Sequence, residues 1–142
     1  MSIFRTVTVD RTRTPQQVLD ATGRWQFTNS DVVATMPSGG TGVLENVTVE
    51  FFGECVSNND ELAKTYEERG LVPDPYAQAE VNEADQAFAD DHPNGTHWKD
   101  KDGNWCFITF DYDDDDRGVS VNRSSGQGGL DGWWFGGVKK QQ

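Results

Sequence analysis

Apolar and polar residues alternate in both halves of the chain, and a period of two residues is typical of β-strands. The clearest alternation runs over 43–52, where Val47 and Phe51 share one face. A second alternation covers 2–9. Between these two stretches, 24–36 is ambiguous and fits a brief strand followed by a single helical turn. The N-terminal half is therefore predicted to contribute strands to a sheet.

Three longer helices are predicted where a capping residue precedes apolar residues at helical spacing. In the first, Thr14 and Gln17 form a capping box around Pro15, which suits the first helical position. The second begins after Asn58, and the third begins at the Asp74–Pro75 step. Glycine or proline ends each helix. The predicted limits are Thr14 and Gly23, Asn58 and Gly70, and Asp74 and His92.

Residues 96–138 contain four of the five tryptophans and predict an antiparallel meander. Its first turn is Asp102–Gly103, a sequence strongly associated with two-residue hairpins. A two-residue turn at this position pairs Trp98 with Phe107. The C-terminal third of the chain is therefore expected to be rich in strands.

A second, wider turn is predicted at 113–116, and it pairs Phe110 with Val119. The glycine-rich segment 126–132 then leads to a final strand through Trp133–Phe135. Together the predicted elements give one α+β domain over 1–142. We expect an antiparallel sheet of about five or six strands, three helices packed mainly on one face, and a polar, frayed tail at 139–142.

The predicted register divides the meander between two faces of the sheet, because successive residues of a strand point to opposite sides. Cys106 and Ile108 share the face assigned to the core, whereas Trp105 and Phe107 lie on the other face with Trp98. Two interpretations of this second face remain open: acidic helices cover it, or it is an exposed binding platform. The candidate binding surface, including the final strand, consists of Trp98, Trp105, Phe107, Trp133 and Trp134.

The net charge is −12, from twelve basic and twenty-four acidic residues. This charge argues against direct binding to nucleic acid, whose phosphates the protein repels. Three interpretations remain: a solvated surface, adaptation to high salt, and imitation of a nucleic-acid backbone that occupies a basic protein partner. The third interpretation predicts a partner with complementary charge.

The apolar stretches of the chain are short. None approaches the ~18–20 consecutive apolar residues that a membrane span needs, and 1–6 lacks the apolar core of a signal peptide. We therefore expect a cytoplasmic protein without membrane contact. No glycine-rich stretch ends in the residues that hold phosphates, so no cofactor is expected.

The aspartate run at 111–116 raises the possibility of a calcium site, because hard cations favour several carboxylate oxygens on one loop. An EF-hand loop starting at Asp113 would have Gly118 at its sixth position, but its twelfth residue is Ser124 in place of glutamate. A solvated turn is the alternative interpretation. The weak candidates for calcium ligands are Asp111, Asp113, Asp115 and Asp116.

A thiol and an imidazole raise the question of enzyme activity. Cys106 and His97 are predicted two residues apart across neighbouring strands, and an aspartate would complete a nucleophilic triad. No specific motif surrounds Cys106, and both it and Cys55 are expected to be buried thiols, not partners in a disulfide. The predicted function is a non-enzymatic binding protein that uses an acidic helical surface or the aromatic sheet face. The alternatives are a small enzyme at Cys106 and His97 and a calcium-binding or structural module at 111–116.

Overall fold

The computed structural model describes residues 2–39, 43–123 and 132–140, which form eight strands and five helices. The strands are β1 (Ser2–Asp10), β2 (Trp25–Thr28), β3 (Leu44–Gly53), β4 (Leu71–Val72), β5 (Asn94–Lys99), β6 (Trp105–Asp113), β7 (Asp116–Arg123) and β8 (Trp134–Lys139). The helices are α1 (Pro15–Ala21), α2 (Ser30–Val33), α3 (Asn59–Arg69), α4 (Pro75–Ala84) and α5 (Phe88–Asp91). Within those ranges, no helix combines the length and the apolar character that crossing a bilayer requires.

The strands form one mixed sheet in the order β1, β3, β8, β5, β6, β7, β2, and β4 pairs with the end of β8. β5 runs parallel to β8, and β2 runs parallel to β7. The prediction of an antiparallel sheet of five or six strands is therefore wrong. Parallel pairs join segments that are distant in the chain, so local turn signals carry no information about them.

Helices pack on both faces of this sheet. The buried residues of α1, α2, α4 and α5 share one core cluster with Ile108 and Phe110, and we call this side the four-helix face. On the opposite side, the α3 face, Leu62 and Tyr66 pack near Phe135. The predicted arrangement of three helices mainly on one face is wrong, because the apolar side of α3 covers the face that the other helices leave open.

The helix starts use the predicted capping chemistry. The Thr14 hydroxyl accepts a hydrogen bond from the Gln17 backbone at 3.2 Å, and the Gln17 side chain accepts one from the Thr14 backbone at 2.8 Å. The predicted third helix is instead two helices, α4 and α5, separated by Asp85 with φ −133° and ψ 84°. Arg24 donates to the Gln86 carbonyl at 2.8 Å, so a backbone group at this break binds a buried guanidinium.

The first hairpin of the meander has a longer loop than its sequence predicts. The Asp100 carboxylate accepts hydrogen bonds from the backbone N–H groups of Asp102 and Asn104, both at 2.9 Å, and this network stabilises a loop between Lys99 and Trp105. Strand pairing is therefore shifted by one residue. Phe107 lies opposite His97, whereas the sequence predicts that it lies opposite Trp98. His97 consequently lies on the α3 face, and Trp98 lies on the four-helix face.

The second hairpin confirms the predicted register, but the prediction of a wider turn is wrong. Phe110 pairs with Val119, and the strands meet at a two-residue turn formed by Asp114 and Asp115. Both turn residues have positive φ, 48° and 67°, which fits the mirror-image turn that tight hairpins prefer. The predicted glycine-rich loop at 126–132 lies outside the described residues, except for Gly132.

The sheet opens on both sides of the second half of β8. Pairing between β3 and β8 covers Glu50–Gly53, and pairing between β5 and β8 covers Asn94–Gly95. Beyond these pairs the three strands diverge, and β4 lies beside Val138 and Lys139. Two gaps result, one between β4 and β5 and the other beside β3.

Candidate functional site

The gap between β4 and β5 is a cavity of about 500 Å³. α3 covers it on one side, and Pro37 and Trp98 contribute to its lining as well. A cavity of this size is large enough for a small organic ligand. The residues that matter most for its chemistry are Tyr66, His97, Trp98, Lys99, Trp105 and Lys140.

Stacked rings form one wall of the cavity. His97 and Trp105 stack with their centroids 4.2 Å apart and their planes 14° apart, and Tyr66 follows at 5.5 Å from the His97 ring. The Trp105 indole donates to Asp60 of α3 at 3.2 Å. The Lys99 ammonium lies 4.7 Å from the centre of the Trp105 ring, a distance typical of a cation–π contact. This wall therefore combines flat apolar surface with a positive charge.

His97 is a neutral part of this wall. It is 1% exposed, and its Nδ1 lies 2.8 Å from the Asn59 side-chain oxygen. Because that oxygen accepts, Nδ1 carries the ring proton. Burial lowers the pKa of His97 to about 3, although the nearby Asp60 acts in the opposite direction. A general base works best with a pKa near the operating pH, so His97 is unsuited to that role at neutral pH.

Tyr66 lies where β5 and β8 diverge. Its hydroxyl donates to the Gly136 carbonyl at 2.6 Å and lies 2.7 Å from the Thr96 hydroxyl. These contacts bridge the two strands after their direct pairing has ended. Burial raises the pKa of Tyr66 above its ordinary value, so the phenol remains protonated. Tyr66 therefore gives the cavity a rigid, uncharged end.

The cavity has a positive excess in an acidic protein. Two lysines, Lys99 and Lys140, line it, and Glu67 is the acidic residue among its lining side chains. Main-chain groups add polarity: the Asp100 N–H donates to the Asn104 carbonyl, which fixes the direction of alternate backbone groups in β5. The backbone N–H and C=O of His97 and Lys99 therefore point away from β6 and toward the cavity.

The structure brings together part of the predicted binding surface. Trp105 and Phe107 share the α3 face, and Trp133 packs against the same core cluster. Trp98 is 5% exposed and donates to a threonine on the four-helix side, and Trp134 contacts the core of that side. The five aromatic residues therefore do not form one platform.

Cys106 and His97 lie on opposite faces of the sheet, so the sheet itself separates the predicted nucleophile and base. Cys106 is fully buried, and its sulfur lies 3.8 Å from both the Thr35 hydroxyl and the Asn104 carbonyl. Burial raises the pKa of the Cys106 thiol. These contacts are typical of a packed core thiol and not of a nucleophile.

Thiol labelling distinguishes the two cysteines. Cys55 is exposed, contrary to its predicted burial, because it follows the end of β3. We expect a thiol reagent at neutral pH to modify one sulfur per native chain rapidly and the second only in denaturant. Counting labels by mass spectrometry tests this expectation, and Cys55→Ser should remove the rapid phase. Rapid modification of the Cys55→Ser variant would contradict it.

The aspartates of 111–116 are distributed along the second hairpin and its turn. Asp111 pairs with Gly118 in the ladder, and Tyr112 donates to Asp115 at 3.1 Å. Among the described residues, no group of three or more potential metal ligands converges. Asp113 and Asp116 pair across the hairpin as its last ladder pair. The described part of this hairpin therefore gives no support to the predicted calcium site.

Several residues of the cavity were absent from the predicted site. Tyr66 and Leu71 are not part of the predicted binding surface, and Lys140 lies in the predicted tail. The available signal was Leu71–Val72, a short apolar pair between two helices, which is too brief to predict a strand. Comparison with known protein families, with curated proteins and with solved structures finds no match to this chain.

Proposed function

We propose that this protein binds a small planar organic anion in the cavity between β4 and β5. The observation that carries the proposal is the wall formed by the stacked rings of His97 and Trp105, with the Lys99 ammonium over the Trp105 ring. The apolar body of such a ligand fits beside these rings, and its anionic group fits the two lysines. The function is binding without chemical conversion.

The charge distribution supports an anion over a cation. The whole chain carries −12, which repels anions from most of its surface. Lys99 and Lys140 nevertheless both line this cavity, so it contains two of the five lysines of the chain. Backbone N–H groups of His97 and Lys99 provide further donors. An anionic ligand is therefore attracted at this place and repelled elsewhere.

The protonation states favour a binding role. His97 remains neutral at physiological pH, and the Tyr66 phenol retains its proton. The Cys106 thiol lies on the other side of the sheet. The cavity thus presents aromatic rings and positive charges, and its buried imidazole, His97, does not have the pKa of an effective base.

Titration calorimetry with benzoate and phenylacetate, and with benzamide and phenylacetamide as uncharged counterparts, tests this proposal. We expect the carboxylates to bind and the amides to bind at least tenfold more weakly. Trp105→Leu should weaken carboxylate binding by about tenfold, because it removes the stacking surface and the partner of Lys99. Trp25→Leu is the matched control, since Trp25 is 65% exposed and lies outside the cavity.

Salt dependence provides a second measurement. Lys140→Gln should weaken carboxylate binding several-fold and reduce its dependence on ionic strength, because one of the two ammonium groups is lost. Equal affinity for benzoate and benzamide would overturn the anion assignment. Absence of binding by all four probes, with the wild type fully folded, would overturn the proposed function itself.

A further inference from the structure

The second gap of the sheet leaves an edge of β3 open in the middle of the fold. β3 pairs with β1 over Leu44–Phe52, but it pairs with β8 only over Glu50–Gly53. In the described part of the chain, no strand pairs with the 44–49 portion of β3 on the side facing β8. This edge borders a groove of about 570 Å³, whose opposite wall includes Val72 and Lys139.

The direction of the unpaired groups follows from the ladder. The Arg11 N–H donates to the Val43 carbonyl at 2.9 Å, so alternate residues beginning at Val43 direct their backbone groups toward β1. The intervening residues Leu44, Asn46 and Thr48 direct their N–H and C=O groups toward the groove. The same alternation continues to Glu50, which pairs with Gly137 of β8.

The opposite wall also presents main-chain groups that pair with no other described residue. Gly137 faces β3, whereas Val138 pairs with Val72 of β4. The Lys140 N–H donates to the Gly70 carbonyl at 2.9 Å, on the β4 side. Lys139 lies between these residues and therefore directs its backbone groups into the groove, toward β3. Within the described ranges, two strand edges with unpaired groups therefore face each other across one gap.

We propose that an extended, basic peptide segment of a partner protein binds in this groove as an added β-strand, paired with Leu44–Thr48. Five residues of strand span about 17 Å, enough for several main-chain hydrogen bonds. Strand addition obtains its affinity from main-chain hydrogen bonds and its selectivity from alternate side chains. The unpaired N–H and C=O groups of both walls are the partners that such a peptide requires.

The side chains of the groove indicate the character of the peptide. Phe4 lines the groove and is 56% exposed, so it offers an apolar contact to a side chain of the peptide. Leu44, which is 66% exposed, belongs to the open edge itself. The Arg11 guanidinium is already bound by Glu45 at 2.8 Å and by Asp74 at 2.7 Å. The charged residues of the lining carry a net charge of −1, and they are Arg11, Lys139, Glu45, Glu50 and Asp74. Arg11 and Arg69 already contact the carboxylates of the lining. The preference for lysine or arginine in the peptide therefore follows chiefly from the net charge of −12 of the whole chain.

The test is selection of phage-displayed random twelve-residue peptides on the wild type and on two proline variants. Asn46→Pro removes an N–H that faces the groove and leaves the β1 ladder intact. Thr8→Pro is the matched control, because its N–H faces the outer edge of β1. Both substitutions also remove the same side-chain hydrogen bond, in which Thr8 donates to Asn46 at 2.8 Å.

We expect peptides with alternating apolar and basic residues to be enriched on the wild type and on Thr8→Pro. Their binding to Asn46→Pro should be at least tenfold weaker. In NMR spectra of the wild type, adding an enriched peptide should shift the Asn46 and Thr48 amides and slow their hydrogen exchange. Equal enrichment on Asn46→Pro, enrichment of acidic peptides, or unchanged Asn46 and Thr48 amides would overturn the proposal. These outcomes leave the β4–β5 cavity unaffected, so the two proposals fail independently.

Discussion

Asn94→Ala is expected to lower the free energy of unfolding by about 4 kcal/mol, the largest effect predicted for this protein. The Asn94 side-chain oxygen accepts hydrogen bonds from the side chains of Gln78 at 2.9 Å and of Asn82 at 3.0 Å. Its amide group donates to the Asn82 side-chain oxygen at 3.1 Å and to the His92 carbonyl at 3.0 Å. Gln78, Asn82 and Asn94 are all fully buried.

The size of this effect follows from the groups that remain. Alanine removes four hydrogen bonds: the three to Gln78 and Asn82 are buried, and the one to the His92 carbonyl is part-buried. Each buried polar group left unsatisfied costs about 1–3 kcal/mol. The Gln78 side-chain oxygen already lacks a hydrogen-bond partner among the described residues. Compensation for the loss of Asn94 is therefore limited, among the described residues, to this one unpaired acceptor.

Urea unfolding measured by circular dichroism tests this prediction. Asn46→Ala is a suitable control, because Asn46 is exposed and accepts one side-chain hydrogen bond. Its effect should remain within about 0.5 kcal/mol, as is usual for surface substitutions. A loss below about 1 kcal/mol for Asn94→Ala would show that the amide cluster contributes little to stability.

The second large effect is a dependence of stability on pH that is due to His97. The pKa of His97 is about 3 in the folded protein, and its ordinary value, which applies to the unfolded chain, is 6.5. Between pH 3 and pH 6.5, His97 therefore binds a proton in the unfolded chain but not in the folded one. The stability contribution of neutral His97 is complete above pH 6.5 and declines as the pH falls toward 3. Between pH 7 and pH 5, this loss amounts to about 2 kcal/mol.

Comparison with His97→Phe isolates this contribution from that of the carboxylates. Phenylalanine keeps a ring against Trp105 but does not titrate, so the variant should lose about 2 kcal/mol less than the wild type between pH 7 and pH 5. Urea unfolding at both pH values provides the measurement. Parallel losses in the two proteins would show that His97 protonates as readily in the folded chain as in the unfolded one.

Local chemistry in the sequence predicted local structure well. The capping residues Thr14 and Asn58 begin helices where expected, and Phe110 pairs with Val119 as predicted. The first hairpin shows where such reasoning fails. Asp102–Gly103 favours a two-residue turn, but the Asp100 side chain stabilises a longer loop through two backbone N–H groups. A shift of the register by one residue moves every side chain of β5 to the face of the sheet opposite to the predicted one.

That one-residue shift also explains which part of the cavity was predictable. Trp105 lies on the expected face, but His97 takes the place that was assigned to Trp98. The remaining walls depend on contacts between distant segments, because Tyr66 comes from α3 and Lys140 follows β8. The alternation and capping patterns describe neighbours in sequence, so they do not predict contacts between such distant segments.

The place of β8 in the sheet has a consequence for synthesis on the ribosome. β1 and β3 form one antiparallel pair, and β5, β6 and β7 form a meander, but β8 is the strand that lies between β3 and β5. β8 is also made after all of them. Until Trp134–Lys139 emerges, facing edges of β3 and β5 remain unpaired in the nascent chain, and unpaired edges favour association between chains. Completion of the sheet is therefore a late event, and the nascent chain is most vulnerable to aggregation just before it.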